Sequence, residues 1–357
     1  MHASKLAERP NQPPGSMTGL AAAASLIAEA GKRSGEYPDY LANHLPMVLE
    51  AMARLGATGG RLAEYASYYG DTHKVPYPPP HRERIDRSNW RSAFGDRTRE
   101  ADYRDFFVEE VGRLGHRETV RIYVPILAGG VAASATHGLM RLAYGIMRGD
   151  ETEIGVALGY WAATYLPLPV PSSGDGRETP VDLLLSMRSG SRFLKVEPRS
   201  TLLWHWIEAM GRLEEFQALL GRVRTDEALL VQMREASLVL YAGTRSFEAL
   251  HALTGCHWLR LVSPYLDEPG KLAARFWEVV MALYPKIGMP DLPTADQLAA
   301  WRSIEPPPDR EIAAAAVASD DEHDHSLVFS ALEEFKATAD PLYRVVAARR
   351  VGLLPAS

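Results

Sequence analysis

Residues 249–262 read ALHALTGCHWLRLV, an apolar run at helical rhythm that carries two histidines and the only cysteine of the chain. Its reading decides the fold, because the same rhythm recurs on both sides. In residues 39–57, apolar side chains at Leu41, Leu45, Val48, Leu49, Met52 and Leu55 form a stripe at helical spacing, and Gly56 supplies a stop. Further helical patterns cover roughly 60–70, 101–115, 136–148, 153–166, 200–222, 225–242, 245–263, 270–284, 295–303, 323–337 and 340–352. Strand signals are scarce; the best is 118–127, which could equally be a buried extended entry to the next helix. Proline and glycine punctuate the chain at 76–80, 167–176, 285–293 and 305–309. The expectation is a mostly α protein: residues 1–17 a disordered lead, and 18–357 a single large multi-helix domain with long Pro/Gly-rich connections.

Composition narrows the function classes. Hydrophobic residues are 46% and charged residues 24% of the chain, enough apolar material for a sizeable core. A formal charge of −6 without a Lys/Arg block argues against nucleic acid or an anionic membrane as partner. A lone cysteine excludes an internal disulfide and fits a reducing, cytoplasmic setting. The charge-free stretches 122–140 and 154–174 contain proline, glycine and polar residues, which favours buried segments of a water-soluble core over membrane spans.

No Gly-x-Gly-x-x-Gly follows a strand, so no flavin or nicotinamide fold is visible, and a Walker A loop and a nucleophile elbow are also missing. Cys256, between Gly255 and His257, reads as a small buried residue rather than a nucleophile. The histidines are more informative. His44 interrupts the stripe of its helix, and His137 follows a run of small residues. His251 and His257 stand six apart, about 120° around a regular helix, so both face one metal only if Thr254-Gly255 bends it. His323 and His325 lie in SDDEHDHS (319–326), where the acids also suit a helix start. Each histidine alone reads most simply as a hydrogen-bonded core residue; together they offer nitrogen ligands for iron, zinc, copper or nickel.

Four segments in order, NHLPMVLEAMARLGAT (43–58), THGLMRLAYGI (136–146), LHALTGCHWLRLV (250–262) and DDEHDHSLVFSALEEF (320–335), resemble the questin oxidase-like family over about residues 36 to 350. The resemblance implies a helical oxygenase related to fungal enzymes that oxidatively open anthraquinone-type polyketides, described as Baeyer–Villiger-type, NADPH-dependent oxidases. It further implies, for some members, a non-haem iron held by several histidines and a carboxylated lysine. The positions that match are His44, His137, His251, His257 and His323; Ser326 stands where the pattern often has lysine, and Lys336 lies too far along. His325, Asp321 or Asp324 could complete the coordination or support it.

The expected cofactor is Fe(II), with NADPH as the family-implied reductant. O2 and a small aromatic, quinone- or polyketide-like substrate would enter a pocket lined by Met47, Met140, Tyr144 and Trp258. Two rival readings remain from sequence: a non-catalytic helical binding protein that keeps the histidines in its core, and a metal-assisted hydrolase with Glu322 as base.

Overall fold

The computed structural model describes residues 16–171 and 176–355 of the chain. Among these, secondary structure is helical apart from a two-stranded antiparallel hairpin, β1 (Glu36–Tyr37) and β2 (Leu41–Ala42), and two isolated bridges. The helices are α1 (Ser16–Gly31), α2 (Leu45–Arg54), α3 (Gly59–His73), α4 (Glu100–Leu114), α5 (His116–Leu127), α6 (His137–Arg148), α7 (Glu151–Ala163), α8 (Pro180–Met187), α9 (Leu203–Gly211), α10 (Glu214–Gln217), α11 (Leu229–Thr244), α12 (Phe247–Val262), α13 (Pro269–Leu283), α14 (Ala295–Arg302), α15 (Asp309–Ala318), α16 (Glu322–Thr338) and α17 (Leu342–Arg350). None is long and apolar enough to cross a membrane.

The mostly α expectation holds, with local corrections. Residues 1–15 of the expected lead lie outside the described residues, whereas Ser16 and Met17 already belong to α1. The strand expected at 118–127 is α5: Thr119, Val120, Tyr123, Val124 and Leu127 are its buried residues, a spacing of one helix face. The pattern at 200–222 breaks into α9 and α10, and the helical stripe of 39–57 becomes helical only at Leu45. Pro46 explains that start, because a proline lacks the N–H that an interior helical position must donate and is tolerated in the first turn.

Four helices position the site. α2 packs on α6, α6 on α12, α12 on α16, and α16 back on α2, a closed ring. Two glycines permit the close contacts. A Cβ on Gly138 would stand 2.8 Å from the side chain of Trp161 on α7, and one on Gly255 would strike the ring of Phe276 on α13. Gly255 is therefore a packing residue, and α12 runs through it as one helix from Phe247 to Val262.

Backbone strain is concentrated just before α6. Ser134, Ala135 and Thr136 occupy the left-handed region in succession, with φ of 44°, 54° and 73°. Each such non-glycine residue costs on the order of 1–2 kcal/mol, so surrounding contacts must hold the run in place. Ser134 supplies one of them, its hydroxyl donating to Glu36 Oε1 at 2.7 Å, where Arg97 Nε also donates to Oε2 at 2.6 Å.

Candidate metal centre

Each helix of the ring brings one histidine to a shared cavity, and each does so near its own beginning. His44 caps α2, His137 opens α6, His251 lies in the second turn of α12, and His323 is the second residue of α16. All four line one cavity of about 230 Å³. Ring-centroid distances run 4.5 Å from His44 to His137, 5.6 Å to His251, 6.0 Å to His323 and 5.2 Å back to His44.

The hydrogen bonds fix which nitrogen faces inward. Nδ1 of His44 meets the Ala42 carbonyl at 2.8 Å, Nδ1 of His137 the Ser134 carbonyl at 2.5 Å, and Nδ1 of His251 the Phe247 carbonyl at 2.8 Å. His323 Nδ1 stands 3.1 Å from Asp321 Oδ1. Carbonyl and carboxylate oxygens only accept, so every Nδ1 is the N–H donor, and in a neutral ring Nε2 is then a bare lone pair. Burial depresses the pKa of His44, and holds His137 down at about 4 and His251 at about 3, so these rings stay neutral near pH 7. The positive ends of the helix dipoles act in the same direction.

That assignment leaves His44 Nε2 and His137 Nε2 facing each other at 2.8 Å without a proton between them. Two lone pairs at that distance repel, and a shared cation relieves the repulsion. Two nitrogens about 2.1 Å from one ion can lie up to about 4.2 Å apart, so the pair fits a single metal. Tying each remaining ring nitrogen to a fixed acceptor is also the usual support for a metal-bound imidazole.

A carboxylate completes the arrangement. Oε1 of Glu322 is 3.2 Å from His44 Nδ1, and its Oε2 is 3.8 Å from His73 Nε2. Glu322 lines the cavity, groups with His44 and His323 within 4.8 Å, and has its pKa pushed up to about 7 by burial. Asp321 caps α16 by accepting from the His323 amide at 2.8 Å, and its hydrogen bond with the His323 ring holds its pKa down at about 2.

Other sequence candidates fall elsewhere. His257 does not join the ring: α12 stays unbent, so this residue points away, 3.1 Å from Glu334 Oε1, which also accepts from Arg260 Nε at 2.6 Å. His325 is buried edge-on to Tyr65, with ring centroids 5.0 Å apart, and Asp324 pairs with Arg350 at 2.5 Å. Ser326 is buried but does not line the cavity, and Lys336 pairs with Glu333 at 2.6 Å toward the far end of α16. Met47, Met140, Tyr144 and Trp258 are core residues that do not line the cavity. They share helices with the histidines but sit one or two turns further in, at about 5.4 Å per turn.

The cavity wall is instead made by Tyr37, Tyr40, Leu202, Leu203, Trp204 and Phe247. Phe247 lies 4.6 Å from the His251 ring and 4.8 Å from that of His323. From sequence Glu322 enters only as the base of the rival hydrolase reading, and His73 and these wall residues not at all. Only Glu322 carries a signal there, as the acid next to His323; the others come from unrelated segments.

A ring of four helices that turns four histidines onto one aromatic-walled cavity defines a helical protein with a histidine-rich candidate metal site. The chain belongs to the questin oxidase-like family, whose model matches residues 41–330. That span contains all four cavity histidines. The family name suggests an oxidoreductase acting on aromatic polyketides. No curated protein matches the sequence.

Proposed function

We propose that this protein is a metal-dependent, O2-using oxidoreductase that oxidises or opens the ring of a quinone- or polyketide-like aromatic substrate, with non-haem Fe(II) held by His44, His137, His251 and His323. One observation carries the reading: four imidazoles from four helices line one cavity, and every Nδ1–H is tied to a fixed acceptor. Nitrogen ligands without thiolate suit iron, and the bound metal supplies the one-electron chemistry with O2 that side chains lack.

The remaining work falls to the chain. Tyr37, Trp204 and Phe247 offer an aromatic wall against which a planar ring packs and water is excluded. Glu322, with its pKa near neutrality, can take or give a proton at the cavity edge beside His44, or add a carboxylate oxygen to the ligand set. NADPH as reductant comes from the sequence resemblance alone.

The test is metal content after anaerobic Fe(II) loading of the wild type and of His137→Ala, His323→Ala and His257→Ala. The expected result is near-stoichiometric iron in the wild type and in H257A, and loss in the other two with the fold retained by circular dichroism. Wild-type protein that takes up no metal refutes the proposal and leaves a helical binding protein.

A further inference from the structure

Four imidazoles line the cavity, and most of its remaining lining is aromatic or aliphatic. Among the described residues of that lining, Lys286 is the one with a permanently cationic side chain. It stands just beyond α13 and donates from Nζ to Glu248 Oε1 at 2.6 Å, Glu248 being in the first turn of α12 next to Phe247. An ammonium has three N–H donors, so one bond to Glu248 leaves two for a ligand. Glu248 balances its charge, and the two remaining N–H groups lie beside an aromatic-walled space that is open on one side.

Resting on the reading of this cavity as the substrate site, we propose that Lys286 determines specificity by receiving an ionised ring oxygen, a phenolate or hydroxyquinone anion. The ring packs against the wall that includes Phe247 and Trp204, and Glu248 holds the ammonium at the cavity edge.

The experiment measures dissociation constants of 2-hydroxy-1,4-naphthoquinone and 1,4-naphthoquinone by calorimetry on the full chain. Metal-free and Zn(II)-loaded protein are compared, zinc serving as a redox-inert occupant whose content is measured separately. The expected result is that the hydroxylated naphthoquinone, ionised near neutral pH, binds about tenfold more tightly than the parent quinone, the size of one charge-assisted hydrogen bond. Lys286→Met removes that preference, Lys286→Arg keeps it, and Glu248→Gln increases it by freeing the ammonium. Equal affinity for the two naphthoquinones, a preference that survives in K286M, or no binding of any probe overturns the assignment. A preference that survives in K286M only when zinc is bound gives the oxygen to the metal, which refutes the role of Lys286 and leaves the metal proposal standing.

Discussion

Replacing His137 by glutamine should flatten the acid side of the stability profile of the metal-free protein. Burial lowers the pKa of His137 from the ordinary 6.5 to about 4. The folded state therefore keeps this ring neutral where the unfolded chain binds a proton. By linkage, the stability it contributes is fully present above about pH 6.5 and is lost as pH falls toward about 4. At 1.36 kcal/mol per pH unit the whole difference is about 3 kcal/mol, of which about 2 kcal/mol is expressed between about pH 7 and about pH 5. Glu322 titrates in the opposite sense: its pKa, raised to about 7, makes the fold gain stability as pH falls through that value. A wild-type curve alone therefore mixes His137 with Glu322 and with the other imidazoles depressed by burial, His44, His251 and His325. The variant separates it, because those groups are common to both proteins and any constant offset from the substitution leaves the slope untouched. Urea unfolding at half-unit pH steps, with chelator present, measures that slope. Parallel curves for wild type and H137Q would show that His137 is not held neutral by the fold, and the assignment of its Nε2 as an inward lone pair would fail with it.

Three further outcomes are expected. His257→Ala should lower stability by about 2–4 kcal/mol in urea unfolding, since it empties a buried site beside Glu334, while metal uptake stays at the wild-type level; lost metal would place His257 in the centre after all. Gly255→Ala should cost about 1–3 kcal/mol by driving a methyl group into the Phe276 ring, and a neutral result in thermal unfolding would mean that α12 and α13 can slide apart freely. Ser134→Ala leaves Glu36 short of a buried donor and should cost about 1–3 kcal/mol, together with weaker metal binding because the Ser134 carbonyl orients His137; unchanged Zn(II) affinity by competition titration would separate the strained run from the site.

Helices α2, α6 and α12 are buried on nearly every face and were legible as apolar runs longer than a strand allows, whereas a helix buried on one face leaves a 3.6-residue trace in the sequence. The same trace was present at 118–127, but its β-branched residues obscured it, and the spacing of the buried positions in α5 is the better guide. His44, His137, His251 and His323 were picked out by four short motifs, and the structure brings those four together. His257 was included because it shares a motif with His251, although the helical angle between them already argued against it. The wall residues were misplaced for a definite reason. Met47, Met140, Tyr144 and Trp258 were chosen by helical neighbourhood, whereas the cavity lies at the helix beginnings and is closed by the hairpin and the segment before α9. Contacts between segments more than 100 residues apart leave no period in a sequence.

The four histidines stand at positions 44, 137, 251 and 323, so the site spans most of the chain. During synthesis the last of them emerges only after the other three, so a chain that stops short of residue 323 lacks it. No partial chain holds the full set, and an ion that reaches the nascent protein finds at most an incomplete, weaker chelate. The choice among competing metals then passes to the finished fold, where the helix ring sets the spacing of the nitrogens before any ion arrives. With metal bound as proposed, occupancy becomes a report on completed folding: a copy that lacks a helix of the ring lacks one of the four histidines.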